Sequence, residues 1–142
     1  MSLQSELRRD EGYKIWPYLD SRGIKTWGIG HNLVASPLCP QAADLLGQAV
    51  QAQFDYDVAQ VNTALMAYPW AATLDTVRLE AVQNLMFNMG ASTFAKFQHF
   101  IGYMASGQYT LAATELTNSL AAKQDVERYT RLALQISTGV EK

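Results

Sequence analysis

The chain has 142 residues, 49% of them hydrophobic and 17% charged, which describes one globular domain with a sizeable core and not a disordered segment. Eleven Lys and Arg against thirteen Asp and Glu leave a net charge of −2, which argues against nucleic acid as the partner. No apolar run approaches the roughly 20 residues of a membrane span, and the opening MSLQSELRRD lacks the apolar stretch of a secretion signal.

In chain order, Ser2 to Glu11 reads as a short helix, with Leu3 and Leu7 one turn apart and Glu11 the next step of their stripe. Gly12 ends it. Tyr13 to Leu19 reads as a strand, held to an edge by Pro17, and Asp20-Ser21-Arg22-Gly23 as a turn. Ile24 to His31 completes the hairpin, and alternation puts Thr26, Gly28 and Gly30 on one face and Trp27 and His31 on the other. After a connector at 36–40, a helix over 41–46 is expected to stop near Gly47, with a long helical stretch from Ala49 to about Met66.

Tyr68-Pro69-Trp70 breaks that stretch. Asp75 is placed to cap a helix carrying Val77, Ala81, Val82, Leu85, Met86, Phe87 and Met89, apolar nearly all round and so a buried central helix. Gly90 stops it. Helices are then expected over 93–105, with Phe94, Phe97, Ile101 and Met104 inward, and over 108–119. A last helix over 123–137 would turn Val126, Tyr129, Ala133 and Ile136 inward. The fold class is α+β and mostly helical, with a small hairpin lobe and a larger helical lobe joined by a long helix. A cleft between lobes is a common ligand site.

Three residues in the hairpin region carry possible chemistry. Glu11, directed inward by its stripe, would be partly desolvated, which raises a carboxyl pKa toward that of a general acid. Asp20 offers an ionised carboxylate at the turn. Thr26 shares its face with two glycines, and a hydroxyl over a glycine floor can hold a water. Each has an ordinary reading too: a helix-end glutamate in solvent, a turn aspartate bonding backbone amides, a threonine favoured in strands. Cys39, the only cysteine, excludes an intrachain disulfide and reads as an inert small residue. His31 and His99 have no ligand-like spacing, so no metal is expected. His31 reads as a hydrogen-bonded structural residue and His99 as a core-edge residue.

The combination is more specific than its parts. The string LRRDEGYKIWPYLDSRGIKTWGIGHNL holds Glu11-Gly12, Asp20 after eight residues, Thr26 after five more, and then Gly28-Ile29-Gly30-His31. It resembles the signature of the phage-type lysozyme family. Further likeness lies in Asn84-Leu85-Met86-Phe87-Asn88-Met89-Gly90, in Thr93–Phe97, and in Arg128-Tyr129-Thr130-Arg131 ahead of Thr138-Gly139. It departs in a shorter segment between hairpin and central helix, in Asn32 after the histidine, and in Ser119–Gln124.

The resemblance implies one lysozyme-like catalytic domain over 1–142, with a small lobe over about 12–48. The helical lobe would take about 67–142 together with the N-terminal helix 2–11. It implies a muramidase that cuts the β-1,4 bond between N-acetylmuramic acid and N-acetylglucosamine in peptidoglycan, with inversion and no cofactor. Glu11 would be the acid, and Asp20 and Thr26 would position water. Gly30, Phe87 and Asn88 would meet substrate, with Phe87 equally explained by core packing. Arg128 and His31 would stand behind the site, and the last helix, with Arg128 and Arg131, would dock near the first. Arg128 beside Glu11 would lower the pKa that burial raises, and the sequence leaves that balance open. A monomer without membrane insertion is implied, waiting in the host cytoplasm for a holin pore or carried on a virion. A lytic transglycosylase and a non-catalytic binding module are the rival readings.

Overall fold

The computed structural model describes residues 3–141; Ser2, the expected start of the first helix, lies outside them. The chain divides into two compact units, Met1–Val50 and Gln51–Lys142. The described residues form eight α-helices and one three-stranded antiparallel sheet, an α+β, mostly helical fold.

In the first unit, α1 spans Leu3–Glu11 and ends where Gly12, at φ +75°, donates its amide to the Arg8 carbonyl. Only Leu3 and Leu7 are apolar among its nine residues, and α1 buries none of them. The expected inward course of Glu11 therefore fails: the residue is exposed.

Strands β1 (Lys14–Leu19), β2 (Lys25–Gly28) and β3 (His31–Asn32) lie in sequence order. Tyr18 pairs with Thr26 and Leu19 with Lys25, after which the register slips before Lys14 meets Gly28. Pro17, which has no amide hydrogen to give the ladder, sits in that slip. The indole Nε1 of Trp27 donates to the Ile15 carbonyl at 2.8 Å there. The second strand is shorter than expected. Gly28 and Gly30, at φ +67° and +69°, fold the chain back so that His31 pairs with Trp27. Asn32 Oδ1 then accepts the amides of Val34 and Ala35, giving that departure from the motif a turn-forming role.

Helix α2 runs unbroken from Pro40 to Leu65, so Gly47 does not stop it. A helical glycine costs only about 1 kcal/mol against alanine. One-turn amide–carboxylate pairs Gln48–Asp44, Gln51–Asp55 and Gln53–Asp57 support the helix along its length.

In the second unit a 3-10 turn at Pro69–Thr73 leads to α3 (Thr76–Met89), capped by Asp75, whose carboxylate accepts the Arg78 amide. Ala81, Val82, Leu85 and Met86 are buried, but Phe87 is 42% exposed, so α3 is not apolar-buried all round. The helix expected over 93–105 is two, α4 (Ala91–Phe94) and α5 (Gln98–Ala105), parted by a tight turn in which the Phe97 amide reaches only to Phe94. This break lets Phe94 and Phe100 both bury completely, edge to face at 6.0 Å. Phe100 takes the inward place expected of Ile101, and His99 is exposed.

Helix α6 (Tyr109–Thr117) is followed by α7 (Leu120–Gln124), a short separate helix capped by Ser119 that takes in the expected first residues of the last helix, 123 and 124. Asp125 caps α8 (Val126–Thr138) and starts it later than expected. Val126 is consequently exposed, and Leu132 joins Tyr129, Ala133 and Ile136 in the core. Arg78 ties α3 to the end of α8: Nε donates to the Ile136 carbonyl and Nη2 to that of Ser137. Its guanidinium lies 4.2 Å from the centre of the Tyr109 ring.

Candidate active site

The first unit carries Glu11, Asp20, Thr26 and Gly30 on the end of α1 and on the sheet with its turns. Glu11 closes α1, and its carboxylate rests against the backbone of Gly30, where an added Cβ would come within 2.8 Å of Oε2. A side chain there would displace the carboxylate, and the positive φ of Gly30 disfavours one in any case. Among the described residues of its own unit no cation pairs with Glu11.

Asp20 is set by the turn that follows β1. Its Oδ1 accepts the amides of Arg22 at 2.8 Å and Ile24 at 2.9 Å. The Ile24 amide foremost holds the carboxyl below its ordinary pKa, against the opposing effect of desolvation and with lesser help from the Arg22 amide and guanidinium. Asp20 is thus a carboxylate that stays ionised. With Oδ1 committed to the backbone and Arg22 only at 3.5 Å from Oδ2, Oδ2 keeps accepting capacity.

Thr26 is the buried polar residue among the described residues, 4% exposed. Its hydroxyl donates to the Ile24 carbonyl at 2.9 Å. The hydroxyl proton is therefore spent on the backbone, and what Oγ1 retains is accepting capacity. Ile24 links the two groups, since its amide serves Asp20 and its carbonyl serves Thr26.

His31 departs from expectation. Its Nε2 is enclosed and meets no hydrogen-bond partner among the described residues. Cys39 is exposed.

The other expected residues lie on the second unit. Phe87 borders a groove of about 320 Å³ shared with Phe54, Val58, Gln83, Asn84 and Arg128, and meets Phe54 edge to face at 5.8 Å. Arg128 donates from Nε to Asn84 Oδ1 at 3.0 Å. One turn along α3, Asn88 is exposed, and the hydroxyl of Tyr129 donates to its Oδ1, also at 3.0 Å. Burial, with some help from Asp125 and against the pull of Arg128, keeps that phenol above its ordinary pKa and so protonated. Sequence reasoning missed Tyr129, which it took for a core residue alone. Its polar end had no signal, because the partner stands 41 positions away.

An ionised carboxylate, a second carboxyl beside a glycine backbone and a hydroxyl with an open lone pair are the parts of a two-carboxylate glycoside hydrolase. Among known proteins, the chain matches the phage lysozyme family across residues 8–130 and belongs to it. It is 28% identical, over 162 aligned positions, to probable T4-type lysozyme 1 of Dictyostelium discoideum, covering 97% of this chain and 95% of that protein. It is 27% identical to the pre-baseplate central spike protein Gp5 of Enterobacteria phage T4, where 98% of this chain spans only 28% of the relative. The endolysin of Salmonella phage P22 is 33% identical over 100 positions, covering 64% of this chain and 62% of its own length. No helix among the described residues is long and apolar enough to cross a membrane.

Proposed function

We infer that the chain is a muramidase that hydrolyses peptidoglycan at the β-1,4 bond between N-acetylmuramic acid and N-acetylglucosamine, with inversion at the anomeric carbon. The observation that carries this is the Ile24 relay, which leaves Asp20 an ionised acceptor and Thr26 an uncommitted lone pair two residues from that relay's amide donor. Membership of the phage lysozyme family supports it.

Glu11 gives its proton to the leaving glycosidic oxygen. An attacking water donates one hydrogen to Thr26 Oγ1 and the other to Asp20 Oδ2, which turns its own lone pair toward the anomeric carbon. Asp20 takes that proton as the C–O bond forms, and its charge favours the oxocarbenium-like transition state. Inverting pairs stand roughly 6.5–9.5 Å apart to admit the water. Gly30 keeps the Glu11 carboxylate in place, and Phe87 and Asn88 meet the glycan. On the second unit Arg128 holds Asn84, and on the first His31 supports the turn that carries Gly30. No cofactor takes part, and the chain works as a monomer on glycan strands.

The setting is lysis of a bacterial wall from the host cytoplasm once a holin pore opens. A virion-borne enzyme is the second setting, favoured by the extent of the match to a spike protein. Product analysis on purified peptidoglycan tests the chemistry. Hydrolysis leaves a reducing end, in the α configuration at early times if inverting. An anhydro end would mean a transglycosylase, and no cleavage a binding module.

A further inference from the structure

We propose that Tyr129 is a positioning residue for glycan binding: it takes up the carboxamide oxygen of Asn88 so that the amide nitrogen is presented to an acceptor oxygen on the substrate. The inference rests on the reading of Asn88 as a substrate-binding residue and adds what makes it a donor.

An exposed asparagine is ordinarily free to rotate, and its two ends are equally available to water. Asn88 is exposed, but its Oδ1 is engaged by a phenol that is 1% exposed and belongs to the core. A buried Tyr hydroxyl needs a partner, and the Asn88 oxygen is the one it has. With the oxygen held from beneath, the planar amide turns its nitrogen outward, and that nitrogen has no partner among the described residues. The preceding turn repeats the device. Asn84 Oδ1 is held by Arg128, the residue before Tyr129, and a guanidinium can only donate, so the direction of that amide is unambiguous. Two consecutive residues of α8 thus fix two carboxamides one turn apart on α3, both oxygen-inward.

The ligand class follows from the presented group. A row of fixed N–H donors suits a ligand rich in acceptors, and the strongest neutral acceptor on a peptidoglycan glycan is the acetamido carbonyl of an N-acetyl sugar. Fixing the amide beforehand also saves the entropy of ordering it on binding, so the gain appears in affinity rather than in the chemical step.

The test is steady-state kinetics of the full chain on soluble glycan oligomers prepared from peptidoglycan, with KM and kcat separated. Asn88→Ala should raise KM about three- to tenfold, the cost of one lost hydrogen bond, with kcat little changed. Tyr129→Phe, which removes one oxygen, should raise KM by a similar or smaller factor, and Asn88→Ala/Tyr129→Phe should be no worse than Asn88→Ala. Asn88→Asp keeps an acceptor for Tyr129 but has no N–H to present, so it should behave like the alanine variant whether or not Tyr129→Phe folds well. If Asn88→Ala raises KM while Tyr129→Phe moves only thermal stability, the positioning role is overturned and Asn88 stands. If Asn88→Ala leaves KM unchanged, both fall. If Asn88→Asp binds as the parent does, the donor role is wrong.

Discussion

The carboxylate of Glu11 lies so close to the backbone of Gly30 that a Cβ there would stand 2.8 Å from Oε2. Gly30 also has φ +69°, so both the space and the backbone select glycine. Gly30→Ala should cost about 1 kcal/mol or more from the left-handed backbone alone. Activity should fall further than that loss explains, because the carboxylate must move. Thermal unfolding and wall-clearing rates on the same sample separate the two effects.

Thr26→Val tests the lone pair. Thr26 is buried, so the change is not surface-like, but the Ile24 carbonyl it serves also accepts the Asp20 amide at 3.0 Å and is not orphaned. Stability should fall by about 0.5–1.5 kcal/mol and the strand should persist. Activity should be nearly lost. Parent-like activity in the valine variant would make Thr26 purely structural.

Asp20→Asn keeps an oxygen to accept the Arg22 and Ile24 amides, so the turn should survive, but Oδ2 and its charge are gone. The variant should fold and fail to hydrolyse. The Asp20 pKa is lowered by folding, so its contribution to stability is present above its ordinary 3.8 and is lost as pH falls through the lowered folded value. Acid unfolding followed between pH 5 and 2 should accordingly be shallower for Asp20→Asn than for the parent.

Arg78 should matter for stability alone. It holds the last carbonyls of α8, pairs with Asp75 at 2.6 Å, and packs on Tyr109. Arg78→Ala leaves those partly buried carbonyls unpaired and should cost about 2–4 kcal/mol, the range of one or two charge-assisted hydrogen bonds. Denaturant unfolding measures it, and activity well below the melting temperature should remain.

What the sequence made legible was local. The spacing of Glu11, Asp20 and Thr26 lies within one helix end and one hairpin, where helix and strand periods and turn chemistry act over a few residues. The Asp75 cap and the Gly90 stop are equally local. Errors arose where a period was carried too far: alternation through Gly28 and Gly30, whose positive φ values fold the strand back, and the Leu3/Leu7 stripe, too narrow to bury Glu11. Gly47 misled in the other direction, since one glycine inside good helix formers is a small penalty and not a stop. The hydrogen bonds of Tyr129 to Asn88 and Arg128 to Asn84 join helices more than forty positions apart, and no pattern along the chain encodes them.

Glu11→Gln decides whether Glu11 is the general acid. Glutamine matches glutamate in shape and can lie against Gly30, but it has no acidic proton to deliver to a leaving oxygen. The purified variant should show the parent's far-ultraviolet spectrum and cooperative unfolding, and its rate of peptidoglycan clearing should fall by about 10²–10⁴-fold, the usual worth of a general acid. A folded Glu11→Gln chain that clears peptidoglycan at the parent's rate would remove Glu11 from the chemistry.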